Sequence, residues 1–105
     1  MPRAFAHPAA KDITLDGILH ALSDSVRRDI VLKLLGDREG MSCSGASCPN
    51  LSPSTISFHH KVLRESGLIR SEKKGVAVIN CLRQEELNKR FPGLLDSILR
   101  QHKAK

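Results

Sequence analysis

A mainly α chain closed by one two-stranded β-hairpin is the fold class this sequence predicts, and three observations carry the prediction. Apolar residues recur at helical spacing in several separate segments. One segment, LSPSTISFHHKVLRESGLI at residues 51–69, has helix start and stop signals at its two ends and follows a Gly- and Ser-rich stretch. Directly after Gly67 the hydrophobic period changes to that of strands, in two short runs separated by Glu72-Lys73-Lys74-Gly75.

Taken in order, residues 1–11 hold two prolines and no periodicity, and read as a flexible basic arm. Residues 12–102 then form the single folded domain. Ile13, Leu15, Ile18, Leu19 and Leu22 suit a helix of roughly ten residues whose wide apolar surface requires partners on more than one side. Ser23 or Asp24 caps a second helix in which Val26, Ile30, Val31, Leu34 and Leu35 repeat inward while Arg27, Arg28, Asp29 and Lys33 face out, and Gly36 ends it. The stretch GDREGMSCSGASCPN leaves room for a one- or two-turn helix near residues 41–47.

The principal helix runs over residues 53–66. Ser52 or Ser54 can cap its free N–H groups, Pro53 suits its first turn, and Gly67 can take the left-handed closing conformation. Ile56, His60 and Leu63 lie on one inward stripe with Val62 and His59 at its margin, and Ser54, Ser57, Lys61 and Arg64 lie opposite. Small hydroxyls and cations at that spacing match base edges and phosphates in a major groove. Strands at residues 68–71 and 76–82 follow, and the hairpin between them offers Arg70, Lys73 and Lys74 to the flanking DNA backbone. A helix at residues 84–90, the break Phe91-Pro92-Gly93, and a last helix with apolar Leu94, Leu95, Ile98 and Leu99 complete the chain. The order helix, turn, helix, hairpin is that of a winged helix-turn-helix.

Composition agrees with a polyanion partner. Seventeen Lys and Arg against 11 Asp and Glu give a net charge of +6, which attracts double-stranded nucleic acid first and an anionic membrane second. No apolar run is long enough to span a bilayer, and the N-terminus lacks the apolar core of a signal peptide, so a cytoplasmic location is expected. With 105 residues, no Trp or Tyr, and only Phe5, Phe58 and Phe91 as aromatic anchors, the core is modest. The first and last helices are natural surfaces for a homodimer, whose two copies would address half-sites about one helical turn (~34 Å) apart.

The segments ALSDSVRRDIVLKLL and LSPSTISFHHKVLRESGLIRSEKKGVAVINCL, in this order of elements, resemble the ArsR-type winged-helix repressors of bacteria. The resemblance extends over residues 13–99, and LRESGLI with its preceding S-x-H is its most specific part. It implies a dimeric transcriptional regulator, usually a repressor, that binds a DNA operator near its own promoter. It also implies Ser54, Thr55, Ser57, Phe58 and His59 as base-edge contacts, Lys61 and Arg64 as backbone contacts, and Lys73 and Lys74 as wing contacts. Phe58 is unusual facing outward; it can pack on a neighbouring helix or meet a thymine methyl.

What releases such a protein from DNA stays open. Three cysteines argue against a disulfide framework. Cys43 lies near the place where arsenic-sensing members carry thiolates, but the usual C-x-C is absent and Cys48 follows at C-x4-C spacing, with no His at zinc-finger spacing behind it. Metalloid sensing, a redox disulfide between Cys43 and Cys48, and purely structural thiols with an unknown inducer all remain. Cys81 suits a buried small hydrophobe. Asp96 and His102 on the last helix, and Asp16 with His20 on the first, fall short of a metal ligand set. No cofactor is expected. An enzyme with Cys43 as nucleophile and His59 as base has no oxyanion loop and no orienting third group, so no catalytic residue is assigned. A winged helix that binds protein instead of DNA is opposed by the basic helix and hairpin.

Overall fold

Short hydroxyl and carboxylate side chains start three of the helices. In the computed structural model, which describes residues 5–37, 39–46 and 50–103 (side chains of 43 and 44 excepted), Thr14 Oγ1 accepts from Gly17 N–H at 3.0 Å and opens α1 (Leu15–Ala21). Asp24 Oδ1 accepts from Val26 N–H at 2.8 Å and opens α2 (Ser25–Leu34). A two-residue strand, β1 (Met41–Ser42), precedes the short α3 (Cys43–Ala46). Ser52 Oγ accepts from Thr55 N–H at 3.3 Å and opens α4 (Pro53–Glu65), with Pro53 in the first turn. These bonds satisfy N–H groups that a helix start otherwise leaves open.

The end of α4 is equally determined. Gly67 has φ +87°, Leu68 N–H donates to Leu63 O at 3.0 Å, and Gly67 N–H donates to Arg64 O at 3.1 Å. This is the paired closure that a left-handed glycine permits. The chain then enters β2 (Ile69–Lys74), turns, and returns as β3 (Ala77–Leu82). α5 (Gln84–Arg90) and α6 (Leu94–Lys103) finish it.

Several elements differ from the sequence expectation. α1 is shorter than about ten residues because Ala10–Asp12 forms a separate 3-10 turn and Ile13 and Thr14 are extended. The hairpin is longer: Lys73 pairs with Val78 and Lys74 with Ala77, so both lysines sit within β2 and the turn is Gly75-Val76, not residues 72–75. The hairpin also gains a third strand, since Met41 pairs with Asn80 and Ser42 with Ile79 in a sheet of order β1-β3-β2. Gly40 makes that approach possible. It has φ +85°, and a Cβ there would stand 2.6 Å from Cys81 Sγ and 2.8 Å from Asn80 O. Of the arm expected at residues 1–11, residues 1–4 lie outside the described residues; residues 5–11 lie against the domain, with Pro8 O accepting from Arg83 Nη1 at 2.8 Å and Ala10 O from Arg90 Nη1.

The core lies where α1, α2, α4 and the sheet converge, around Ile18, Ile30, Val31, Leu34, Leu63 and Leu68, all 2% exposed or less. α6 closes it by burying Leu95 and Leu99 and is locked onto α2 by polar contacts. Arg28 Nε donates to His102 Nδ1 at 3.2 Å, and His102 Nε2 then donates to Asp29 Oδ1 at 2.6 Å. Among the described residues no helix is long and apolar enough to cross a membrane.

Candidate nucleic-acid interface

The position of α4 is fixed from behind by one arginine. Arg27, placed outward by periodicity, is 7% exposed. Its Nε donates to Ala21 O at 2.6 Å and its Nη2 reaches His20 O at 3.5 Å, so it satisfies carbonyls at the end of α1. Its Nη1 lies 3.2 Å from His59 Nδ1. A guanidinium only donates, so His59 Nδ1 is the acceptor and the ring proton sits on Nε2. Periodicity could not find this role, because it ranks residues by polarity and a long Arg stem can cross a core to reach carbonyls.

On the inward side of α4, Leu63 is fully buried and His60 is 1% exposed. His60 Nδ1 donates to Ile56 O at 2.9 Å, and Nε2 is buried with no partner among the described residues. Burial, partly opposed by the Ile56 bond and assisted by the charge of Arg64, pushes its pKa below the usual 6.5. The ring is therefore a neutral core filler at pH 7. His59, which the family resemblance put among the base-edge contacts, is itself only 7% exposed and is joined to Arg27.

The opposite face is open. Ser54, Ser57, Phe58 and Lys61 are exposed, Phe58 to 57%. Thr55 is half-buried, and its hydroxyl shares a small network with Ser52 and Ser54, at 2.9 Å from Ser52 Oγ, with Ser54 Oγ 3.2 Å from the same atom. The side chains of Ser57 and Lys61 have no hydrogen-bond or ionic partner among the described residues. Arg64, grouped with them by spacing, is turned aside: its guanidinium stands 4.4 Å over the Phe5 ring and donates to Ser71 Oγ at 3.2 Å.

The wing's cations divide between two faces, because strand side chains alternate. Lys73 shares a face with the buried Ile69 and Ser71, while Lys74 and Arg70 share the other with Glu72. Lys74 Nζ is 3.9 Å from the exposed Glu72, a pair that contributes little and rearranges readily, and Arg70 is 3.6 Å from the half-buried Glu86. The turn residue Val76 is fully exposed.

The thiol pair cannot be placed, since the Cys43 side chain and all of Cys48 lie outside the described residues. Cys81 is half-buried on β3. Among the described residues no cluster of three or more His, Cys, Asp or Glu is arranged to hold a metal. Asp96 is paired with Arg100 and His102 with Asp29, so these two are engaged elsewhere.

What the geometry offers is a helix held from behind, with an unengaged polar and cationic front, beside a basic hairpin. No family model matches the sequence. The chain is 34% identical over 83 residues, 77% of its length and 82% of the relative's, to an uncharacterized HTH-type transcriptional regulator, YceK, of Bacillus subtilis (strain 168). With that identity over most of both chains, the chain belongs to the helix-turn-helix transcriptional regulators.

Proposed function

We propose that the protein is a cytoplasmic homodimeric repressor of the ArsR type that reads an operator with α4 and steadies itself on the flanking backbone with the β2–β3 wing. The observation that carries this reading is the unengaged front of α4: Ser57 and Lys61 are exposed and unpartnered on a helix whose other side is fixed. Ser54, Ser57 and Phe58 would meet base edges and thymine methyls, and Lys61, Lys73 and Lys74 would meet phosphates. His59 serves in this arrangement by holding α4 against Arg27, and Arg64 by bracing the wing base. Arg70, itself exposed beside Glu86, and Thr55 stand at the rim.

The homodimer would use α1 and α6. Leu15 and Leu19, at i and i+4 on α1, are each 46% exposed and form an apolar stripe that a second copy can cover. On α6, Leu95 and Leu99 are buried in the core, and Leu94 and Ile98 are half-buried at its margin.

The deciding experiment is a titration of reduced protein against the DNA upstream of its own gene, at several salt concentrations and beside a random duplex. Affinity for the upstream duplex that exceeds the random one and falls steeply with salt supports the reading. Absence of duplex binding even at low salt would redirect it to a protein-binding role. Repeating the titration with arsenite, zinc and a mild oxidant, with Cys43→Ser as control, tests the thiol-sensor version. Release abolished by Cys43→Ser names Cys43 as the sensor, and indifference to all three leaves the cysteines structural.

A further inference from the structure

Among the described residues β2 is an edge strand, and its outward amides have no strand to bond. At Ser71 the amide donates instead to Nε2 of His7 at 2.9 Å. The same serine is a junction: its hydroxyl accepts from Arg64 at 3.2 Å and donates to Asn80 Oδ1 at 2.6 Å, and Asn80 Nδ2 donates to Met41 O at 3.2 Å. Two residues before His7, the Phe5 ring lies under the Arg64 guanidinium. One residue after it, Pro8 O is held by Arg83 Nη1, whose other nitrogens bond both oxygens of Glu86 at 2.8 Å. Residues 5–8 therefore touch the last turn of α4 through Phe5, the wing base through His7, and the start of α5 through Pro8.

Covalently, α4 and the wing are joined by the three residues Ser66, Gly67 and Leu68. Wing lysines can act together with the α4 front only if that joint is held, because a wing ordered on binding loses part of its contact energy to the ordering. Resting on the DNA-binding reading above, we propose that His7 is a positioning residue for operator contact, pinning the wing base to the end of α4 and so fixing Lys73 and Lys74 relative to Ser57 and Lys61. His7 does not itself meet DNA. To accept the Ser71 amide its Nε2 must be unprotonated, with the proton on Nδ1. Burial and the facing charges of Arg70, Arg83 and Arg64 all favour that neutral ring, with Glu86 engaged by Arg83 and Arg70.

The test uses the full chain and the upstream duplex. Wild type, His7→Ala and His7→Gln are titrated, together with the Lys73→Ala/Lys74→Ala double variant with and without His7→Ala. His7→Ala should weaken binding about 3- to 10-fold, the effect of one lost hydrogen bond. His7→Gln, whose amide oxygen can occupy the place of Nε2, should restore most of the loss. In the lysine double variant the His7→Ala loss should shrink below about twofold, since the two act through one another. A loss undiminished in that background, or not restored by glutamine, overturns the proposal.

Amide hydrogen exchange without DNA reads the pin separately. His7→Ala should speed exchange along β2 and leave α1 and α2 unchanged. Unchanged exchange in β2 overturns the pin whether or not any duplex binds. Wild-type protein that binds no duplex at low salt overturns the DNA-binding reading, and with it the role of His7 in operator contact, while the exchange result still decides whether the pin exists.

Discussion

Arg27 joins three acceptors in two helices: Ala21 O and His20 O at the end of α1, and His59 Nδ1 on α4. Replacing it by Met keeps the apolar stem and removes every donor, leaving buried acceptors unpaired. Arg27→Met should cost ~2–3 kcal/mol of stability in urea unfolding; a change below half a kilocalorie would mean that water replaces the guanidinium freely. His60 makes a pH prediction. Its folded pKa lies below 6.5, so between that value and 6.5 the unfolded chain binds more protons, and stability present above 6.5 is lost as pH falls. His7, lowered mainly by burial, works in the same direction. His60→Leu should flatten the acid limb of the unfolding midpoint against pH, and a limb as steep as wild type would assign it to other groups. On the DNA side, Ser57→Ala should relax sequence preference by ~1–3 kcal/mol while Lys61→Ala weakens all duplexes alike and lowers the salt slope by about one. Ser57 and Lys61 were legible because spacing alone puts them opposite the apolar stripe. Arg27 and His59 were not, since a polar residue that bonds inward has the same sequence signature as one that faces water.

At the scale of elements, glycine separates positions that matter from positions that merely turn. Gly67 closes α4 at φ +87°, and a Cβ there would lie 2.4 Å from Ile13 Cγ1. Gly75, at φ +63° in the wing turn, has nothing near the place of a Cβ. Gly67→Ala adds a collision with a core side chain to the left-handed penalty and should cost ~2–4 kcal/mol, whereas Gly75→Ala carries the backbone term alone, ~1–2 kcal/mol. Thermal unfolding of the two variants checks the ranking, and equal shifts would show that Ile13 moves aside at little cost. The bounds of α2, α4, α5 and α6 were readable because caps, prolines and glycines punctuate the chain there. β1 was not: two residues have no period, and only the partner strand makes them a strand. The wing turn was misplaced by two residues because Glu72-Lys73-Lys74 is as polar as a loop, yet both faces of a hairpin projecting into solvent can be polar.

For the whole molecule, charge and an uncovered apolar stripe set the expectations. If two copies meet through α1, the double change Leu15→Glu/Leu19→Glu should shift the sedimenting species to a single copy and weaken operator binding, as half-sites are then engaged one at a time. An unchanged mass would place the contact elsewhere. The net charge of +6 and the order of elements were legible at once, because both are properties of the string. How the first residues lie on the finished sheet was not, since Phe5 and His7 meet partners more than 50 positions away. That packing has a further consequence. An unshielded outer strand is a template on which another chain can add a strand of its own, and proteins guard such borders with charge or cover. Here the outer border of β2 is covered midway by an imidazole and guarded toward its tip by lysines, so residues 5–8 act against self-association. A chain trimmed of them should form sheet-rich aggregates sooner on warming, seen as earlier light scattering, even where its unfolding midpoint hardly moves.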